Sequence, residues 1–160
     1  TFQYSGIINL IDILEKQNVK FDTSNCTFFL QAFQGSRITH FPTIDMSKAT
    51  NTTYTFGSDA NVTKIEKLIV SKSTPFYNTF STAYRLEEIT IEGTIGQNGF
   101  NVQWSNKLTH DSLLSILNAL EDKTSDNSGT TWTIGLGPTN IAKLTANEKA
   151  IATQKGWTIA

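Results

Sequence analysis

Residues 32–44 read AFQGSRITHFPTI, residues 55–68 read TFGSDANVTKIEKL, and residues 79–91 read TFSTAYRLEEITI. Each segment has a phenylalanine followed by three apolar positions at similar distances. The apolar columns are Phe33, Phe56 and Phe80; Ile38, Val62 and Leu86; Phe41, Ile65 and Ile89; and Ile44, Leu68 and Ile91. Each column recurs after 23 or 24 residues, and four columns in one register predict a structural repeat.

The end of each segment predicts a short strand, because the side chains of an extended chain alternate between two faces. The phenylalanine some nine residues earlier must then lie on a return segment. A unit of 20–29 residues with one strand is typical of a leucine-rich repeat, and stacked units pair their strands in parallel around a continuous core. The sequence therefore predicts an α/β solenoid with parallel strands.

A family resemblance rests on the start of each segment. Ala32-Phe33, Thr55-Phe56 and Thr79-Phe80 occupy the place of an Ala-Phe motif, and a small-residue position follows at Ser36, Asp59 and Ala83. Over about residues 19–95 this pattern resembles the BspA-type leucine-rich repeats, from which Asp59 departs by its size and charge. The C-terminal segment, from LTHDSLLSILNAL to LTANEKAIATQKGWTIA (residues 108–160), also resembles the C-terminal ends of such surface proteins and of some phage tail-associated proteins.

The resemblance implies a non-enzymatic binding or adhesion module that is extracellular, on a bacterial cell surface. Its partner would be a host or bacterial surface protein or a glycan. An alternative is a phage tail or baseplate component that belongs to a virion, and another is a spacer between an anchor and a distal domain. Because residue 1 is Thr, we expect the chain to be a piece of a longer protein.

Two parts of one domain are expected. Residues 1–101 would form the solenoid, with about three full repeats and a partial N-terminal one, and the glycines at 93, 96 and 99 would mark its exit. Residues 102–160 would form a C-terminal α/β cap, since an open solenoid end exposes its core. Residues 7–14 are apolar except for Asn9 and Asp12, and periodicity cannot distinguish a helix from a buried strand there.

Local signals divide the C-terminal part into four elements. The spacing of Leu113, Ile116, Leu117 and Leu120 predicts a helix over about residues 109–122. The alternation of Trp132, Ile134 and Leu136 predicts a strand. Thr145 and Glu148 form a capping-box pattern for a second helix that Gly156 would end, and a short strand would follow at Trp157 and Ile159.

Composition excludes several classes of function. The chain of 160 residues has 13 Lys+Arg against 14 Asp+Glu, which argues against a nucleic-acid partner. No apolar run is long enough for membrane insertion. Thr, Ser and Asn contribute 50 of the 160 residues, and we expect them to form the solvent-facing surface and loops.

Few residues could support catalysis or metal binding. Cys26 aligns with Ala49 in a small-residue column and is expected to be a buried thiol. No motif places His40 or His110 beside it, and no metal-ligand spacing occurs. The stretch Gly135–Pro138 lacks the remaining residues of a phosphate loop and is interpreted as a turn. We therefore expect no catalytic residues, no metal and no cofactor.

The repeat itself offers the best candidate surface. The residues just before the central strand column are His40, Lys64 and Glu88, and those just after it are Pro42, Glu66 and Thr90. At a constant spacing of 24 each set would form an outward row, which predicts binding by His40, Lys64, Glu88, Glu66 and Thr90. The alternative is a solvated sheet face with a Lys64–Glu88 cross-strand pair. Tyr54, Tyr77, Tyr84 and Trp104 cannot be assigned to either side from the sequence.

Overall fold

The repeated segments form a parallel sheet in the computed structural model, which describes residues 2–58 and 61–160. The elements in chain order are α1 (Leu10–Gln17), β1 (His40–Asp45), β2 (Lys64–Val70), β3 (Glu88–Gly93), α2 (His110–Asn118), β4 (Trp132–Ile134), α3 (Pro138–Ile141), α4 (Ala146–Gln154) and β5 (Trp157–Ile159). Strands β1, β2 and β3 are neighbours in that order, and β4 pairs in parallel with β5. The prediction of an α/β fold with parallel strands is confirmed.

The predicted register is also the observed one. Phe41 pairs with Ile65 and Ile65 with Ile89, while Ile44 pairs with Leu68 and Leu68 with Ile91. All twelve residues of the four apolar columns are buried. The rings of Phe33, Phe56 and Phe80 are stacked, with 5.4 Å between successive ring centroids. Burial of these columns is the main source of stability, because the hydrophobic effect scales with the apolar area removed from water.

The backbone repeats with the same spacing outside the strands. The amide groups of Gln31 and Phe33 donate to the carbonyl groups of Thr53 and Thr55, and Phe56 donates to Thr79. Left-handed backbone conformations recur at corresponding positions: Gln31, Tyr54 and Asn78 form one set, and Gly35, Ser58 and Thr82 form another. The return segments of successive units therefore lie side by side. Of the small-residue positions, Ser36 and Ala83 are buried, while Asp59 lies outside the described residues.

Hydroxyl side chains connect successive units, which corrects part of the expectation from composition. Thr52, Thr55, Thr74 and Thr79 are buried rather than solvent-facing. Thr55 Oγ1 donates to the carbonyl group of Phe29, and Thr74 Oγ1 donates to that of Met46. Because a buried carbonyl group without a partner is unfavourable, these hydroxyl groups satisfy the backbone of the neighbouring unit.

The C-terminal elements follow the local signals closely. The capping box of Thr145 and Glu148 is present at α4, and strands form at Trp132 and Trp157, the first of which ends at Ile134 and so excludes Leu136. The helix predicted over residues 109–122 ends earlier, at Asn118. Beyond Asn118 the chain is not helical, because Leu120 pairs with Ile95 in a parallel β-bridge.

At the N-terminal end, the ambiguous apolar run becomes helical from Leu10 onward. Helix α1 contacts β1, and Leu10 is its buried residue. Within residues 2–58 and 61–160, no helix has both the length and the apolar content needed to cross a bilayer.

Candidate functional site

The first predicted row of side chains forms on the outer face of the sheet. His40 and Lys64 are register partners, and so are Lys64 and Glu88. The side chains of His40, Lys64 and Glu88 are 37%, 40% and 51% exposed to solvent, respectively. Buried Phe41, Ile65 and Ile89 follow each of them in the chain, so the alternation of the strand turns this row toward solvent.

An ion pair and a hydrogen bond join residues of this row to neighbouring side chains. Lys64 Nζ lies 2.8 Å from Glu88 Oε2, which is the predicted cross-strand pair. His40 Nε2 lies 2.9 Å from Glu66 Oε1. The hydrogen bond from Lys64 to Glu88 and the negative charge of Glu88 raise the pKa of the Lys64 amine above its ordinary value. Lys64 therefore stays positively charged at neutral pH.

The second predicted row is not straight. The pairing of β2 with β3 shifts between Ile65 and Leu68. Strand β2 has two residues, Glu66 and Lys67, where β3 has Thr90 alone. Both flanking apolar pairs are buried, so the extra residue is accommodated as a bulge instead of moving an apolar side chain into solvent. Glu66 and Thr90 are therefore not register partners, although both are exposed.

A cavity of about 440 Å³ opens on this face, and we call it the sheet-face cavity. Lys64, Glu66, Glu88 and Thr90 line it, and they are four of the five predicted binding residues. His40 is not in the lining but contacts it through Glu66. Three carboxylates, of Glu66, Glu88 and Asp111, and the single ammonium group of Lys64 face the cavity. The lining is therefore negatively charged at neutral pH and favours a cationic group.

Helix α2 contributes residues to the cavity that the repeat pattern did not identify. Thr109, Asp111 and Ser112 form one wall. Asp111 and Ser112 follow Glu88 and Ile89 by 23 residues each. Extending the repeat spacing beyond the last strand would have found them, but their segment is helical and lacks the apolar pattern of a strand.

Cys26 corrects a prediction about the small-residue columns. Its amide group donates to the carbonyl group of Thr23, just as that of Ala49 donates to Met46. The turns are therefore equivalent, but Ala49 is buried and Cys26 is exposed. Cys26 borders a surface cavity with Phe28.

Metal-ligating side chains are not grouped in the part of the chain that is described. There, no three His, Cys, Asp or Glu residues are grouped in a way that could hold a metal ion. His40 and His110 interact with different carboxylates, those of Glu66 and Glu148. The charged and hydroxyl side chains of the sheet-face cavity offer ion pairing and hydrogen bonding to a ligand.

Comparisons of the chain with protein-family models, with curated proteins and with solved structures find no match.

Proposed function

We propose that this chain is a non-enzymatic binding module, built as a short leucine-rich-repeat solenoid, that recognises a basic polypeptide segment in the sheet-face cavity. The bacterial cell-surface and adhesion role is proposed from the resemblance to BspA-type repeats alone. Binding would depend on complementarity of charge and shape, with no covalent step. The main observation in support of this proposal is that four residues of the predicted rows line the sheet-face cavity.

Support for the solenoid comes from the spacing of contacts. Strand pairs, stacked phenylalanines and left-handed residues all recur at 23–24 residues. A single repeat unit cannot bury its apolar side chains alone, so such units require stacking.

Support for a basic partner comes from electrostatics. The cavity presents carboxylates on β2, β3 and α2 around one ammonium group. A lysine or arginine side chain of the partner could approach Glu66 or Asp111 without breaking the Lys64–Glu88 pair. Such complementarity mainly provides specificity and a fast, salt-dependent association.

The test uses an immobilised library of short peptides of equal length that carry Lys and Arg, Asp and Glu, or only neutral residues. We expect the protein to retain basic peptides, with binding weakened by salt. Glu88→Lys should reduce the affinity by about tenfold, equivalent to ~1.4 kcal/mol. Glu15→Lys makes the same change of charge on exposed α1, outside the lining of the sheet-face cavity, and should have a smaller effect, because Glu15 shares only a neighbouring cavity with Glu66.

A further variant separates binding from stability. The double exchange Lys64→Glu with Glu88→Lys keeps an ion pair between the strands but moves the negative charge from β3 to β2. We expect it to restore stability without restoring the affinity. Equal affinities of the Glu88→Lys and Glu15→Lys proteins for the basic peptides would show that the sheet-face cavity is not the binding site.

A further inference from the structure

We infer that a second site, outside the sheet, binds a neutral oligosaccharide. It is a groove of about 240 Å³, here called the aromatic groove, between residues 76–81 and 99–104. The groove shares no lining residue with the sheet-face cavity, and the inference goes beyond the function proposed above. Its central side chains are Tyr77, Asn78, Ser81, Asn101, Gln103 and Trp104.

The two segments that border the groove are closely packed against each other. The rings of buried Phe76 and Phe100 meet edge to face, with centroids 4.9 Å apart. Gly99 has a φ of +97°, and a Cβ atom there would lie 2.1 Å from the carbonyl oxygen of Phe76. The two segments can approach this closely only because Gly99 has no side chain.

Two large aromatic side chains line the groove and remain exposed to solvent. Tyr77 is 68% exposed and Trp104 is 47% exposed. The ring of Tyr84 meets the Trp104 indole edge to face at 6.1 Å, which limits the orientations of the indole. An exposed and oriented indole offers a flat apolar surface beside polar groups, and aromatic side chains with a few placed polar groups are typical of small-ligand sites.

The polar groups around these rings are uncharged. Asn78 Nδ2 donates to the Tyr54 hydroxyl group at 3.3 Å, and Asn101 Oδ1 accepts from the amide group of Gln103 at 2.9 Å. Both amide side chains are therefore held in place. Within residues 2–58 and 61–160, the Ser81 hydroxyl group and the Gln103 side-chain amide have no hydrogen-bond partner, so both can serve a ligand.

This combination matches a sugar better than other ligand classes. The C–H face of a pyranose ring can pack on an indole, while its hydroxyl groups both donate to and accept from amide and hydroxyl side chains. A phosphate-bearing or nucleic-acid ligand would need Lys or Arg, which the lining lacks. A volume of about 240 Å³ is below the range of drug-sized ligands, which suits one or two sugar rings with the rest of the chain outside.

The experiment titrates the whole chain with neutral hexasaccharides of glucose, mannose, galactose and N-acetylglucosamine, and follows tryptophan fluorescence and calorimetric heat. We expect binding of at least one sugar and a fluorescence change that comes from Trp104. Trp104→Ala should lower the affinity by at least about tenfold, Trp104→Phe by less, and Gln103→Ala by about threefold. Far-UV circular dichroism verifies folding, and the Phe and Gln103 variants test the site even if Trp104→Ala is unstable.

Two controls separate this site from the sheet-face cavity. Trp132→Phe alters a tryptophan outside the groove, and Glu88→Lys alters the sheet face; neither should affect sugar binding. Absence of binding by all four hexasaccharides at about 10 mM, far above a useful dissociation constant, would overturn the inference. An affinity that Trp104→Ala leaves unchanged, or occupation of the groove by neutral peptides alone, would do so too. Peptide binding at the sheet face is measured independently, so either proposal can fail alone.

Discussion

Glu148 makes two kinds of contact at the start of α4. Its carboxylate accepts hydrogen bonds from the amide group and the hydroxyl group of Thr145, at 2.7 and 2.9 Å. It also lies 2.9 Å from His110 Nε2 on α2. The hydrogen bonds from the backbone and side chain of Thr145 lower the pKa of Glu148, and the charge of His110 contributes to the same direction. The ionised form is thus favoured by folding.

This lowered pKa predicts the direction of a pH effect. Because the pKa of Glu148 is lower in the folded state, its contribution to stability is present above the unfolded pKa of about 4.3 and is lost as the pH falls through the folded pKa. The stability difference between the wild type and Glu148→Gln should therefore be largest near neutral pH and shrink in acid. Unfolding by denaturant at a series of pH values measures it, with Glu15→Gln as the control. A difference that is constant with pH would contradict the prediction.

At the scale of the elements, α2 protects the open edge of the three-stranded sheet. The amide group of Ile89 donates to Ser112 Oγ at 2.9 Å, and that of Ile91 donates to Ser115 Oγ at 2.8 Å. These amide groups would pair with a fourth strand if one were present. The helix satisfies the edge of β3 with serine hydroxyl groups and so removes a template for edge-to-edge association.

Removal of the Ser112 hydroxyl group should destabilise the edge of β3. Ser112 is buried, so Ser112→Ala leaves the amide group of Ile89 without a partner and should lower the free energy of unfolding by about 1–3 kcal/mol. Amide hydrogen exchange at Ile89 should become faster. Ser125→Ala, in an exposed loop, should change neither quantity. Unaltered protection of Ile89 in the Ser112→Ala protein would show that the hydroxyl group is dispensable.

The end of β3 imposes a second constraint. Gly93 has a φ of +101°, and an added Cβ atom would lie 2.0 Å from the carbonyl oxygen of its partner Val70. Gly93→Ala should destabilise the protein by at least about 1–3 kcal/mol from backbone strain alone. Gly129→Ala has a positive φ but open space, and Gly6→Ala has open space without a positive φ. We expect the loss of stability in thermal unfolding to follow the order Gly93, Gly129, Gly6.

At the scale of the whole molecule, one column of aromatic rings connects the units. Phe56 is fully buried between Phe33 and Phe80, and Phe80 continues to Phe100 with centroids 5.3 Å apart. The stacking of rings from successive units makes the stability of each unit depend on its neighbours. The loss of one central ring should therefore affect the entire chain.

Truncation of that ring is the corresponding prediction. Phe56→Ala should lower the free energy of unfolding by about 3–5 kcal/mol through lost burial and a residual cavity, against a total of about 5–15 kcal/mol for a typical domain. Phe28→Ala is a matched control, because Phe28 is 63% exposed, and should change stability by less than about 0.5 kcal/mol. Similar losses for the two variants in denaturant unfolding would contradict a role for the ring column.

The sequence predicted the strand register most completely where buried residues recur at a regular spacing. The 23-residue step from Leu68 to Ile91 coincides with the place where β2 has an extra residue, between Ile65 and Leu68. Pairing followed the buried residues because exposing an apolar side chain costs more than bulging a polar one. For the same reason, the residues of the first row are register partners, whereas the register shift falls at the second row.

By itself, the sequence determined the strands, their register, the buried columns and the capped helix α4, because these depend on spacing and on residues close in the chain. Only the tertiary structure decided that α2 takes the place of a fourth strand beside β3, that Cys26 is exposed, and that Trp104 and Tyr77 line a groove. The physical reason is that exposure and edge pairing depend on which distant segment lies alongside. That information is not contained in the spacing of any one segment.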